Sequence, residues 1–205
     1  MRPLLSMRSR GEPRDIRRRT RTRTERRAIL IVSEGVRTEP DYFNGLARAE
    51  RRSNITVHSM ALTVVGTGRD PRRVVAEAKR QAQLAGADPF DSVWAVVDVD
   101  QHSNLQDAII DAKACGVRVV ISNPCFEVWL LMHFEQVTAF QDAKQLARRL
   151  SRHGLETKAL PATFPYTNRA IAQQRARICD PHSARNRVGP NPSTAAHLVV
   201  EDIIR

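Results

Sequence analysis

Hydrophobic positions first gather at Ile29-Leu30-Ile31-Val32, after 27 residues with no apolar period. A short β-branched run between polar flanks predicts a strand over 28–33 that is buried on both faces. Ser33-Glu34-Gly35 breaks the run. Thr38 as N-cap, Glu39 and Pro40 in the first turn, and Tyr42, Phe43 and Leu46 at helical spacing then predict a helix over 39–52. NITVHSMALTVVGTG alternates and then runs apolar, which predicts a strand near 54–65 ending at Gly66-Thr67-Gly68. Asp70-Pro71 opens a helix to about Leu84, with Val74, Val75, Ala78 and Ala82 as its apolar stripe. DSVWAVVDVD predicts a third strand near 92–98. Leu105, Ala108, Ile109 and Ala112 mark a helix over 103–115 with Gly116 at its C′ position, and VRVVIS a fourth strand, 117–122.

After the fourth strand the pattern becomes helical. SNPCFEVWLLMHF predicts a buried helix, 124–134, capped by Ser122 or Asn123. An amphipathic helix over 141–152, an irregular connection over 155–167 and a basic helix over 168–180 follow. DPHSARNRVGPNPST reads as a loop before a final helix, 193–205. Alternating strands and helices with short connections predict an α/β fold, a mostly parallel sheet with helices on both faces. The chain thus divides into an arm, 1–27, an α/β core, 28–135, and a helical C-terminal extension packed on that core, 136–205.

Composition sharpens this reading. With 205 residues, 41% of them hydrophobic, a packed core is within reach. No apolar run approaches the roughly 20 residues of a membrane span, and no apolar stretch follows the basic N-terminus as a secretory signal requires. Cys115, Cys125 and Cys179 lack metal-ligand spacing, which favours a reducing cytoplasm over a disulfide framework or zinc site. Of the net charge of +11, the first 27 residues carry +8. Their RDIRRRTRTRTERR stretch, with Arg17, Arg18 and Arg19, is a low-complexity arm expected to be disordered in isolation. It is either a phosphate-contacting arm or a solvated extension. Arg69, Arg72 and Arg73, with Arg169, Arg175 and Arg177, are candidates for a basic rim, although helical charge runs usually just face solvent. Few aromatic residues sit among these charges, so base stacking gains no support from the sequence. No GxxxxGK[ST] or GxGxxG follows a strand, which speaks against a nucleotide-binding domain.

Candidate chemistry lies at strand ends. Asp98-Val99-Asp100 closes the third strand, and residues two apart project to one side. Clustered carboxylates raise each other's pKa unless a cation neutralises them, and Mg²⁺ (or Mn²⁺) suits such oxygen donors. If the first and third strands are neighbours, Glu34 joins Asp98 and Asp100 around the ion and can move a proton in phosphodiester chemistry. The competing reading makes each aspartate a simple helix cap. Gly35 permits a tight turn or a close approach to phosphate. Glu39, Asn123, Glu127 and His102 are further candidates beside this edge, each with a structural alternative. His133 stands alone and reads as structural.

A strand ending in Glu-Gly and a later DxD resemble the Toprim catalytic domain over roughly 28–122. That resemblance assigns Glu34 to general acid/base work and Asp98 and Asp100 to metal binding. Gln101-His102 stands after the DxD where a further aspartate would be expected. More of the chain, 28–205, resembles the RloB-like family through SEGVRTEPDYF, VVDVDQ, ISNPCFEVWLLMHF and GPNPST. That resemblance implies a Toprim-like fold, a role in bacterial phage defence or abortive infection, and a separately encoded ATPase partner. The expectation is a metal-dependent nuclease acting on DNA or on RNA such as tRNA; the alternative is an inactive Toprim-like module that binds nucleic acid or a partner. A homodimer is open.

Overall fold

The computed structural model describes residues 27–50, 55–61 (backbone), 70–87, 89–99, 104–156 and 159–205. The arm to residue 26, Gly66-Thr67-Gly68, Arg69, Asp100, Gln101 and His102 lie outside the described residues, as do the predicted ends of the second strand and first helix.

β1 (Arg27–Ser33), β2 (Ile55–Ala61), β3 (Ser92–Asp98) and β4 (Arg118–Asn123) alternate with α1 (Thr38–Ala49), α2 (Pro71–Leu84) and α3 (Leu105–Cys115). They form the mostly parallel α/β sheet that the alternation predicts, in the order β2-β1-β3-β4, with a short antiparallel β5 (Ser193–Thr194) beyond β4. Strand order reverses between β1 and β3. Such a switch point opens a crevice at the C-terminal ends of the two strands, where α/β sheets bind their ligands.

Period-two alternation splits the strand side chains between two apolar layers. Leu30, Val32, Ala95, Val97, Val119 and Ile121 pack with Val74, Val75, Ala108 and Ile109 of α2 and α3. On the other face, Ile29, Ile31, Trp94, Val96 and Val120 meet α1, α4 (Glu127–Leu131), α5 (Ala143–Ser151), α6 (Arg169–Cys179) and α7 (Ala196–Ile204). Tyr42, Phe126, Trp129, His133 and Phe164 form an aromatic cluster at its centre.

Three expectations need correction. Thr38 does not cap α1; it is the first helical residue, and the N-cap position is Arg37, with no side-chain cap. The Glu39 carboxylate instead reaches back to accept from the Gly35 N–H at 3.1 Å. Ser122 and Asn123 do not cap the next helix, which is a single short turn-and-a-half starting at Glu127. Ser122 Oγ shares a hydrogen bond with Thr194 Oγ1 (2.8 Å), and Asn123 Nδ2 donates to the Gly189 carbonyl (3.0 Å). Finally, the last helix begins at Ala196, because Ser193 and Thr194 are drawn off to pair with β4.

The free flank of β4 is covered by the same loop. Asn186, in the left-handed region at φ 58°, donates its N–H to the Val119 carbonyl and accepts from the Val119 N–H, each at 2.8 Å. An edge that would otherwise offer unpaired backbone groups is thereby satisfied.

Candidate functional site

The chain leaves β1 at Ser33 without leaving the sheet at once: the Glu34 N–H still donates to the Val96 carbonyl of β3, at 3.2 Å. Ser33 stands opposite Val96 in register, so Glu34 follows at a level just short of Asp98. Adjacent strands lie about 4.8 Å apart, which brings both backbones to the same edge of the switch point. Glu34 and Asp98 are 8% and 7% exposed, burial that carboxylates rarely tolerate without a specific environment. The turn between β1 and α1 is tight: Ser33 Oγ donates to the Gly35 carbonyl, and the Glu39 carboxylate lies against Gly35 so closely that a Cβ there would overlap it.

β4 ends level with β3, since Asp98 pairs with Ser122 and the Val99 N–H donates to the Ser122 carbonyl at 2.9 Å. The following turn places Cys125 and then Glu127 of α4 over this edge. Burial first, and then the charges of Glu127 and Glu34, push the Glu39 carboxyl from an ordinary 4.5 to about 7, against the pull of its own and the Gly35 backbone N–H. Burial also raises the Cys125 thiol far above its usual range, followed by the charges of Glu127 and Asp98 and by a hydrogen bond to the Glu127 carboxylate. The charges acting on these two groups are therefore all carboxylates. Glu127 is the shared neighbour, joining the Glu34–Glu39 side of the edge to the Asp98–Cys125 side.

An all-oxygen donor set of this kind suits a hard cation such as Mg²⁺, which takes one or two carboxylates and keeps several waters. Among the described residues no three acidic, histidine or cysteine side chains stand together as a ready-made metal cage. Asp100, the remaining predicted ligand, is outside them, and so is His102. Donor chemistry at the edge fits a divalent ion held by few protein ligands.

Of the sequence-predicted basic residues, Arg17, Arg18, Arg19 and Arg69 lie outside the described residues, and the described ones each have a partner. Arg72 donates to Asp111 at 2.8 Å and Arg73 pairs with Asp70 at 3.7 Å. Arg169 pairs with Glu50, Arg175 donates to the Met132 carbonyl and Arg177 pairs with Glu201. His133 is buried in the aromatic cluster. Its Nδ1 faces the Trp129 carbonyl (3.0 Å) and so carries the proton, leaving Nε2 to accept from the Tyr42 hydroxyl (3.2 Å). Burial lowers its pKa to about 4, so it is a neutral structural residue.

Two contributors to this edge escaped the sequence reading. The spacing of Cys125 to the other cysteines carries no metal-ligand signal, yet the turn after β4 brings it within reach of the Glu127 and Asp98 charges. The loop after α6 looked like a connector, yet Gly189 receives Asn123, and the Asn191 side chain both accepts from the Gln141 N–H and donates to its carbonyl, each at 2.9 Å. Its Pro/Asn-rich composition was the available signal, since Asn side chains readily bond backbone.

No curated protein and no solved structure gives a match to this chain. No helix among the described residues is long and apolar enough to cross a membrane. The family model described as RloB-like protein matches residues 29–203, and the chain therefore belongs to the RloB-like family.

Proposed function

We propose that this chain is a metal-dependent phosphodiesterase, a nuclease of DNA or of RNA such as tRNA, acting in the cytoplasm in bacterial anti-phage defence or abortive infection. The observation that carries the reading is that the buried Glu34 and Asp98 stand at the C-terminal ends of the adjacent strands β1 and β3, on the switch-point edge of the sheet. Glu34 is the general acid/base, and Glu34, Asp98 and Asp100 hold Mg²⁺ or Mn²⁺. When bound, the ion supplies charge neutralisation at a phosphate oxygen. Glu39 fixes the Gly35 turn and so aims Glu34. Asn123 ties the far side of the edge to the Gly189 loop. Toprim-like ancestry, a separately encoded ATPase partner and a homodimer belong to the same proposal.

Glu34→Ala and Asp98→Ala, each checked for an unchanged unfolding midpoint, are expected to lose about 100-fold or more of divalent-dependent cleavage across a panel of DNA and RNA substrates. Undiminished cleavage by folded Glu34→Ala would end the proposal.

Two observations favour a second reading, an inactive Toprim-like module that binds nucleic acid or a partner. The described residues offer no group of three ligands, and Glu39 holds its proton to about pH 7. In that case Glu34→Ala leaves cells protected, and the protein takes up no divalent ion.

A further inference from the structure

We infer that the outer face of α5, together with Phe140 just ahead of it, is a contact surface for single-stranded nucleic acid that leads to the carboxylate edge. The inference deepens the nuclease reading and rests on it.

α5 is seated on the core by Leu146 and Leu150, which are buried. Lys144, Arg148 and Arg152 are all exposed and follow one another at intervals of four residues. Residues four apart lie on one side of a helix and advance about 6 Å per step, so the three form a basic row that slants along α5. The neighbouring Arg149 turns aside to Glu135, at 3.0 Å, and Glu135 also takes His153, at 3.6 Å. No carboxylate among the described residues pairs with the row. The acid at the head of the helix, Asp142, is occupied in a capping box with Gln145. By contrast, Arg72, Arg73, Arg169 and Arg177 are paired with acids, and Arg175 with a carbonyl. On α5 three cations without an acidic partner stand in one row.

Phe140 is 71% exposed, the most exposed large hydrophobic side chain among the described residues. It precedes Gln141, whose backbone is clasped on both sides by Asn191. Two residues back along that loop, Gly189 receives Asn123 at the end of β4. A short chain of hydrogen bonds therefore fixes Phe140 and the start of the basic row to the edge bearing Asp98. An exposed aromatic ring just ahead of a line of cations without acidic partners matches a single strand, whose bases stack on the ring and whose phosphates meet the cations. A duplex keeps its bases stacked inside and would leave the ring without a partner.

Binding of labelled single-stranded RNA and DNA oligonucleotides of mixed sequence to the full chain, measured by fluorescence anisotropy in EDTA over a range of salt, tests this. Arg148→Glu/Arg152→Glu is expected to weaken binding about tenfold and to reduce the log K against log salt slope by about 1.4, at about 0.7 per lost phosphate contact. Lys79→Glu/Lys113→Glu makes the same charge change on α2 and α3 and is expected to leave the slope in place. Phe140→Ala is expected to weaken binding about fivefold with no change in slope. An unchanged slope in the α5 pair, equal losses in the two pairs, preference for duplex, absence of binding by the unsubstituted protein, or a shift of oligomeric state in place of lost binding would each overturn the inference. Because EDTA removes cleavage from the measurement, a protein that binds through α5 but never cuts refutes only the nuclease proposal. A nuclease indifferent to the α5 pair refutes only this surface.

Discussion

Glu39 keeps its proton to about pH 7 because burial, and then Glu127 and Glu34, disfavour its charge. A carboxyl whose pKa rises on folding favours the fold while protonated. Its contribution is complete below about 4.5 and is lost as pH rises through about 7. His133 works in the opposite sense: with a pKa lowered by burial from 6.5 to about 4, it stabilises above 6.5 and is lost as pH falls through about 4. The two largely cancel between these limits in the unsubstituted chain. Glu39→Gln keeps an acceptor for the Gly35 N–H and removes the charge. In EDTA its stability advantage by urea unfolding is expected to grow from near zero at pH 4.5 to the order of 3 kcal/mol at pH 8. A constant difference between the two proteins would refute the assignment. Gly35→Ala forces the Glu39 carboxylate off its N–H partner and is expected to cost about 1–2 kcal/mol in the same assay. An unchanged midpoint would show the carboxylate moving aside freely.

At the level of elements, α7 is pinned to the opposite end of the sheet by one residue. Asp202 accepts from Ser92 Oγ (2.5 Å), Trp94 Nε1 (2.8 Å) and Arg27 Nη2 (2.6 Å), and Arg118 stands 3.5 Å away. Burial alone would raise its pKa, but these donors outweigh it and hold the carboxyl below its usual value. Stability from Asp202 is therefore present above pH 3.8 and lost as pH falls through the lower folded value. Asp202→Ala leaves the donors of three strands unmatched and is expected to cost about 3 kcal/mol at neutral pH by thermal or urea unfolding, with a flatter acid limb. A loss below about 1 kcal/mol would mean that apolar packing alone holds α7. This clasp was invisible in the sequence because Asp202 lies 175 residues from Arg27 and 110 from Ser92, and an acid in a helix carries no mark of a distant partner. β1, β3 and β4 were legible because each is a β-branched run buried on both faces, and β2 because its apolar and polar residues alternate. β5 was not, because two polar residues owe their strand conformation wholly to the edge of β4.

The whole molecule turns on where strand order reverses. Apolar runs ending in Glu-Gly and in Asp-Val-Asp announced two sheet-edge turns, but only the pairing of β1 with β3 makes them neighbours. Sequence reading reached that pairing as a condition, since periodicity reports burial and says nothing of strand order. Glu127 was legible as a candidate because charge in an apolar helix demands a reason, and Glu39 because it opens the helix that follows Glu34. That Glu127 bridges the two sides of the edge depends on the path of the chain after β4, which no spacing encodes. The partners of Arg72 and Arg73 were hidden for a like reason: Asp111 lies 39 residues from Arg72 and meets it only through the packing of α2 on α3. The central claim is that Glu34 and the strand-three aspartates share a divalent ion. Anomalous diffraction from crystals soaked in Mn²⁺ tests it most directly. The account predicts one peak at the switch-point edge, about 2.0–2.2 Å from carboxylate oxygens of Glu34 or Asp98, and its loss in Asp98→Asn. Well-ordered crystals with no peak at that edge, or a peak bound elsewhere and unaffected by Asp98→Asn, would contradict it.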